Sequence, residues 1–193
     1  MEKDEIIKSA IKYVKDLFEN NSDGHDVAHT MRVYKNALEI TKVYPEADSF
    51  IVSLAALLHD ADDHKLFITE NNANARKFMA NAGLSEDVAD GVCKVINSVS
   101  FSKNRGKKPE SLEGMIVQDA DRLDALGAIG IARTFAYGGK NGRSLDMSLQ
   151  HFYDKLFLLK DEINTDAAKK IAEHRHVFMK DYVNEYLEET GQE

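Results

Sequence analysis

Apolar residues recur at helical spacing along most of the chain. In the first segment they fall three or four residues apart and mark one face of a helix: Ile6, Ile7, Ala10, Ile11, Val14, Leu17 and Phe18. The same spacing predicts further helices at 27–43, 47–61, 72–82, from 86 onward, 112–126, a short one ending at 136, 149–162 and 166–188. Sustained alternation of apolar and polar residues, the mark of a half-buried strand, is missing from the sequence. The pattern therefore predicts an all-α protein with about eight or nine helices.

Polar and glycine-rich segments separate the predicted helices. Turn-forming residues at 20–24 end the first helix, and Ser85 is a predicted N-cap. The connection at 98–109 carries four cationic residues, Lys103, Arg105, Lys107 and Lys108. Such a run either attracts a polyphosphate or forms a solvated loop. A second connection, at 137–143, is predicted as a glycine-rich loop, and it lacks the GxxxxGK[ST] pattern of a phosphate-binding P-loop.

Composition narrows the class of protein. A length of 193 residues indicates one domain, and a net charge of −8 argues against binding to nucleic acid polymers or membrane surfaces. The single cysteine, Cys93, excludes an intrachain disulfide, fits a reducing compartment and is expected in the core. The start of the chain lacks the apolar run of a signal peptide, and no apolar run is long enough to span a bilayer. We therefore expect a cytoplasmic protein that acts on small molecules, with a homodimer left open.

Three predicted helices bring histidine and aspartate into apolar surroundings. The helix at 47–61 is apolar almost all round and ends in His59 and Asp60. A carboxylate at the end of a buried helix is costly to desolvate unless it is paired or bound to metal. Although this dipeptide means little alone, two other predicted helices present His29 and Asp121 beside apolar neighbours. Two imidazoles and two carboxylates could together hold one divalent ion and leave coordination positions free for water and substrate.

These residues follow the H…HD…D signature of the HD superfamily of metal-dependent phosphohydrolases, which the chain resembles from about residue 25 to 133. The likeness includes GHDxxHxxRV at 24–33, HDxxDxK at 59–65 and the long segment VQDADRLDALGAIGIARTF at 117–135. A weaker similarity surrounds His151, Phe152, Lys155 and Leu156. The resemblance is strongest to small bacterial HD proteins that are nucleotide pyrophosphohydrolases. It implies one HD-type domain over 1–193, with a metal-binding core at about 25–135 and C-terminal helices at 148–190 packed on it.

The resemblance also implies the metal ligands: His29, His59, Asp60 and Asp121. Asp119 and Asp124 crowd the same helix as Asp121, and the family pattern places the ligand in the Ala-Asp pair. On this interpretation Asp124 supports the site or faces solvent, and Asp119 caps a helix or pairs with an arginine. The segment 96–102 has no histidine where many HD proteins carry ligands for a second metal, so we expect a single ion and no cyclic-dinucleotide chemistry. Manganese is expected first, and magnesium, iron, nickel, cobalt and zinc fit the same donors.

Asp63 is predicted to be the catalytic residue. It follows Asp60 by three positions, where many HD nucleotidases have an acidic residue that handles the proton of the attacking water. The alternative is a carboxylate in solvent beyond the end of the helix.

Several polar residues near the predicted metal are candidates for substrate binding. Arg32 lies one turn after His29, and its guanidinium could hold a phosphate in bidentate fashion. Arg122 and Arg133 are further cationic candidates, although ion pairs with carboxylates explain these two equally well. An aspartate at position 26 could instead orient His29 or cap the helix. The predicted substrate-binding set is Arg32, Lys65, His25, Asp26 and Arg122. The histidines at 64, 151, 174 and 176 are expected to be ordinary surface or packed residues.

The predicted activity is hydrolysis of a nucleotide phosphate ester or anhydride with the help of a divalent metal. The resemblance implies cleavage of a (deoxy)nucleoside triphosphate to the monophosphate and pyrophosphate. Two alternatives stand beside it: a 5′-nucleotidase that acts on nucleoside monophosphates, and a non-catalytic regulatory module that binds metal and nucleotide.

Overall fold

A computed structural model describes residues 2–19, 26–64 and 66–192. Within these ranges every regular element is helical, and the predicted all-α class is confirmed. The described residues form nine α-helices of nine or more residues and one short α-helix of four residues. The chain runs through α1 (Lys3–Leu17), α2 (Val27–Thr41), α3 (Ser49–Leu58), α4 (Ala73–Asn81), α5 (Glu86–Val99), α6 (Phe101–Asn104), α7 (Leu112–Asp124), α8 (Gly127–Lys140), α9 (Leu145–Asp154), a 3-10 helix (Leu156–Glu162) and α10 (Asp166–Thr190).

The chain divides into two compact units, residues 1–121 and 122–193. The division falls inside α7, directly after Asp121. The packing of the C-terminal helices on the metal-binding core, expected from the sequence, stays a prediction. None of the described helices is long and apolar enough to cross a membrane.

Helix α3 forms the centre of the first unit. Eight of its ten residues are buried, and it packs against α1, α2 and α5. Its first turn is capped by Asp48, whose Oδ1 accepts hydrogen bonds from the backbone N–H groups of Phe50 and Ile51. Because the helix is buried along its length, its C-terminal end delivers the next residue, His59, into the interior. The apolar run in the sequence therefore determines how deeply the polar pair that follows it, His59 and Asp60, is buried.

Three polar side chains fix α7 within the first unit. The Asn36 amide on α2 donates to the carbonyl of Ala120 at 3.3 Å, and the backbone N–H of Asp48 donates to Glu113 at 3.0 Å. Gln118, which is fully buried, donates to the carbonyl of Ser98 at 2.7 Å. These bonds tie α7 to α2, to the start of α3 and to the end of α5. They set the position of Asp121, the residue after Ala120.

The predicted glycine-rich loop at 137–143 is wrong over its first half. Helix α8 continues to Lys140, so residues 137–140 form its last turn. A Cβ built on Gly138 would lie 2.1 Å from Ser148 Oγ, so glycine serves close packing against α9 here. Among the glycines of this segment, Gly142 alone has the left-handed conformation typical of a turn, at φ +68°.

The predicted continuous helix at 149–162 is also wrong. Helix α9 ends at Asp154, Lys155 leaves helical geometry at φ −140° and ψ −57°, and a 3-10 helix follows. Leu149, Phe152, Leu156 and Leu159 all point into the core, so their three-or-four spacing looks helical although the backbone changes type between them. Similarly, the polar connection predicted at 98–109 contains the short helix α6.

The close packing of α8 on α9 leads to a stability prediction. Gly138→Ala should lower the free energy of unfolding by about 1–3 kcal/mol, because the new methyl group overlaps the Ser148 hydroxyl. Removing that hydroxyl in the double variant Gly138→Ala with Ser148→Ala should return part of the loss, measured as a coupling energy by urea denaturation. Strictly additive effects of the two changes would show that the overlap is not the cause.

Candidate metal centre

Polar side chains from three helices meet at one point in the first unit. The ligand atoms of His29 on α2, His59 at the end of α3 and Asp121 on α7 all lie within 4.8 Å of one another. The two imidazole Nε2 atoms are 3.3 Å apart, and Asp121 Oδ1 is 3.5 Å from that of His29 and 3.9 Å from that of His59. Asp60 Oδ2 lies 3.4 Å and 3.3 Å from the same two nitrogens. The structure therefore brings together all four residues that the sequence proposes as ligands.

Burial differs among the four residues. Both imidazoles are 3% exposed, the Asp60 side chain is 10% exposed, and the Asp121 side chain is 24% exposed. Solvent therefore reaches the cluster most readily at Asp121. A hydrolytic site needs such access, since water and substrate must occupy the coordination positions that the protein leaves open.

The ring of His59 is held in one orientation. Its Nδ1 lies 2.9 Å from the carbonyl of Ala56, one turn back on α3. With the proton on Nδ1, this bond leaves the Nε2 lone pair directed at the other three residues. The imidazole is thus prepared to act as a ligand through Nε2.

The residues after α3 form two successive tight turns. Ala61 N–H donates to the carbonyl of Leu58 at 3.0 Å, and Asp63 N–H donates to that of Asp60 at 3.1 Å. The helix predicted to reach residue 61 therefore ends at 58. In a continuing helix, the side chains of adjacent residues point about 100° apart. The turns after residue 58 instead let His59 and Asp60 both face the cluster.

Asp62 anchors these turns, a role that the sequence did not reveal. Its carboxylate accepts hydrogen bonds from the N–H groups of Asn74 at 2.9 Å and Ala75 at 3.0 Å, and so caps α4, which begins eleven residues later. The Asn74 amide donates in return to the carbonyl of Ala61 at 2.8 Å. Asn72 occupies the N-cap position itself, but at φ 56° it forms no side-chain cap bond. The sequence signal for Asp62 was weak because capping residues normally adjoin the helix they cap.

The cluster changes the proton affinity of His59. Burial opposes the charged imidazolium, but the Asp60 and Asp121 carboxylates and the Ala56 carbonyl outweigh it and raise the pKa of His59 to about 9. At neutral pH, without metal, the imidazole is therefore in its charged form, with a second proton, and lies between two carboxylates. Two nitrogens and two carboxylate oxygens around one point fit a divalent cation, which satisfies the same groups once that proton leaves.

This pKa predicts how metal affinity depends on pH. Because metal displaces the His59 proton, the binding constant should rise about tenfold per pH unit from pH 7 and level off near pH 9. The metal-free protein should behave in the opposite way, since a raised histidine pKa stabilises the fold fully below about pH 6.5 and that contribution is lost as pH rises through 9. Calorimetric titration with Mn²⁺ in buffers of different ionisation enthalpy should detect about one proton released at pH 7. Release of no proton would contradict the assignment.

The acidic neighbours of Asp121 have separate surroundings. Asp119 is fully buried. Asp124 is 2% exposed, and its Oδ2 accepts a hydrogen bond from Arg133 Nη1 at 2.5 Å. The sequence left Asp124 as a supporting or solvent-facing residue and Arg133 as a possible substrate contact. The structure pairs them with each other.

The structure does not support substrate binding by Arg122. Its side chain is 2% exposed, and its guanidinium donates to the backbone carbonyl of Glu162 and, at 2.9 Å, to that residue's carboxylate. A guanidinium so engaged and buried has little access to a ligand. The ion-pair interpretation accounts for Arg122 better than the predicted substrate contact.

The remaining candidates fall in different places. Asp26 Oδ1 accepts a hydrogen bond from the backbone N–H of His29 at 2.7 Å, so Asp26 is the α2 N-cap, as one of the sequence alternatives proposed, and its contact with substrate stays a prediction. Arg32 is half-buried one turn after His29, on the same side of α2. His25 and Lys65 lie outside the described residues.

Asp63 follows Asp60 by one tight turn, and 17% of its side chain is exposed. The alternative considered from the sequence was a carboxylate in solvent, but most of the Asp63 side chain is buried. His64 beside it, by contrast, is 65% exposed. Of the other histidines, His176 is packed against Phe157 and His174 is exposed, as expected. Cys93 is buried, which confirms its predicted place in the core.

An all-helical fold with a centre of two histidines and two aspartates is typical of one class of metal-binding domains. Comparison with known proteins places the chain in that class. The family model described as "HD domain" matches residues 26–126, and the chain belongs to this family. The matched range contains all four residues of the centre.

The chain is similar over nearly its whole length to several bacterial proteins. It is 41% identical to YpgQ of Bacillus subtilis (strain 168), over 90% of this chain and 88% of that protein. The crystal structure of B. subtilis YpgQ in complex with ADP matches with a TM-score of 0.84 and 36% identity, over 98% of this chain and 97% of that one. An HD-superfamily hydrolase from Bacillus thuringiensis matches with a TM-score of 0.81 and 38% identity, over 99% and 100% of the two chains.

Proposed function

We propose that this HD-family protein is a divalent-metal-dependent phosphohydrolase that cleaves a (deoxy)nucleoside triphosphate to the monophosphate and pyrophosphate. The observation that carries the proposal is the convergence of His29, His59, Asp60 and Asp121, whose ligand atoms surround one point. The binding of ADP by YpgQ supports a nucleotide as the ligand. We infer one metal ion, because the described residues contain one such cluster.

The four ligands would hold the ion through His29 Nε2, His59 Nε2 and one oxygen each of Asp60 and Asp121. When bound, a divalent ion lowers the pKa of a coordinated water toward neutrality and polarises a phosphoryl oxygen. The Ala56 carbonyl keeps the His59 ring in the ligating orientation throughout. Asn36 supports Asp121 through its bond to the preceding carbonyl.

We assign proton handling to Asp63. Its position one tight turn after Asp60 and its only partly exposed side chain support a place beside the centre, and it is not one of the four converging ligands. A carboxylate there would accept the proton of the attacking water and align that water with the phosphorus atom. Arg32, one turn from His29, and Lys65 would offset the negative charge that grows on the phosphoryl oxygens.

The test is an assay that separates three outcomes. Purified protein with Mn²⁺ is incubated with nucleoside tri-, di- and monophosphates, and phosphate and pyrophosphate are measured separately. Pyrophosphate and monophosphate in equal amounts from a triphosphate is the expected result. Phosphate from monophosphates would establish a 5′-nucleotidase in its place. Absence of product from every nucleotide, with metal bound, would identify a regulatory binding module.

A further inference from the structure

A cavity of about 270 Å³ lies apart from the metal centre in the first unit. It is bounded by the second half of α5, the basic connection after it and the residue that precedes α7. Pro109 and Glu110 form part of its lining, and the other six of the eight residues that line it have uncharged polar or cationic side chains: Lys94, Ser98, Asn104, Lys107, Lys108 and Ser111. Ser111 directly precedes α7, and Asp121 follows it by ten residues, which corresponds to roughly 15 Å along the helix axis. The cavity is therefore separate from the candidate metal centre.

The charge of the cavity is opposite to that of the chain. Three lysines and one glutamate line it, in a protein of net charge −8. Lys94 and Glu110 pair at 3.0 Å, but their side chains are 70% and 83% exposed, so the pair contributes little and exchanges readily for another anion. The ammonium groups of Lys107 and Lys108 form no ion pair with the parts of the chain that the structure describes. A small anion would supply the missing negative charge.

The walls of the cavity are fixed to α7. The buried Gln118 amide donates to the carbonyl of Ser98 at 2.7 Å and to that of Lys107 at 3.4 Å, so it links the α5 wall to the basic connection. A Cβ on Gly114 would lie 2.8 Å from Pro109 Cβ and 3.0 Å from Ser98 Oγ. Only glycine lets α7 approach this closely. The lysine backbones thus have a defined position, which lowers the ordering cost of binding an anion there.

We propose that this cavity is a binding site for a small condensed phosphate, of which inorganic pyrophosphate is the simplest. Its volume is just below the range of about 300–1,000 Å³ for ligand pockets, which suits a phosphate chain better than a whole nucleotide. The paired cations at Lys107 and Lys108 match the several negative charges of such a ligand. The four cations of the 103–108 segment thereby divide: the last two line the cavity, while Lys103 and Arg105 lie outside its lining.

Calorimetric titration with pyrophosphate tests the site. It is performed on the full chain with EDTA present and with Asp121→Asn in the background, so that neither bound metal nor hydrolysis contributes. The outcome is therefore independent of the proposed function. We expect one site with a dissociation constant of about 1 mM or tighter, weakened by salt. Lys107→Gln with Lys108→Gln should lower the affinity at least about tenfold.

The matched control is Lys103→Gln with Arg105→Gln, which removes the same charge from the same segment without touching the cavity lining. This variant should bind pyrophosphate within about twofold of the background protein. Equal loss in the two double variants would overturn the proposal, because it would show that the segment attracts anions without a defined site. Lack of binding by the background protein would overturn it as well. Thermal unfolding confirms that both double variants keep the fold.

Discussion

Replacing His59 with alanine is expected to remove the bound divalent ion and to lower kcat/KM for the best nucleotide substrate by about 1,000-fold or more. That factor corresponds to about 4 kcal/mol of lost transition-state stabilisation. The reason is the position of the ring: His59 Nε2 lies within 4 Å of all three partner ligand atoms. Changes to groups that merely support a ligand cost about 10–100-fold, and loss of the ligand itself should exceed this. Metal content by elemental analysis and steady-state kinetics measure the two effects.

His64 provides the matched control for this substitution. It lies five residues further along and is 65% exposed, so His64→Ala should keep both metal and turnover within about twofold of the wild type. The His59→Ala protein should remain folded by circular dichroism. Retention of stoichiometric metal by a folded His59→Ala protein would contradict the centre described above.

Asp63→Asn is expected to lower turnover by about 10²–10⁴-fold while the protein still binds its metal. The amide keeps the size of the side chain but cannot accept a proton from water. Because Asp63 is outside the four converging ligands, the metal dissociation constant should change little. Single-turnover kinetics at saturating metal separate the two quantities. Loss of metal with normal turnover at saturating metal would make Asp63 a ligand and refute the proton-handling role.

The neighbouring Asp62 gives a sharp contrast. Asp62→Asn removes one of the two carboxylate oxygens that cap α4, so it should lower the free energy of unfolding by about 1 kcal/mol. Its turnover at saturating metal should stay near that of the wild type. The same chemical change at adjacent positions thus separates stability from catalysis, measured by urea denaturation and by kinetics.

Much of the candidate site could be predicted from the sequence, because the residue patterns that indicate it are local. An apolar run that ends in His59 and Asp60 implies a buried helix that delivers polar groups to the interior, and α3 has this form. The convergence of His29, His59 and Asp121 then needs only that three helices meet, as their apolar neighbours predict. The choice of Asp121 over Asp119 and Asp124 rested on family resemblance, and the structure agrees by placing its carboxylate beside both imidazoles.

The features that the sequence missed depend on partners far along the chain. Arg122 pairs with Glu162, forty residues away, and Asp62 caps a helix that begins eleven residues later. Helical spacing also cannot reveal a change of backbone type, because Leu149 and Leu156 remain buried on both sides of the break at Lys155. At Gly138 the sequence indicated a loop, and the glycine instead permits close approach of two helices.

The most direct test of the central claim is anomalous scattering from crystals of the protein grown with Zn²⁺. The four-ligand centre predicts a single internal peak at roughly 2.0–2.2 Å from His29 Nε2, His59 Nε2 and an oxygen of Asp60 and of Asp121. A crystal with no peak among these atoms, or with a peak ligated by Asp119 or Asp124 in place of Asp121, would contradict it.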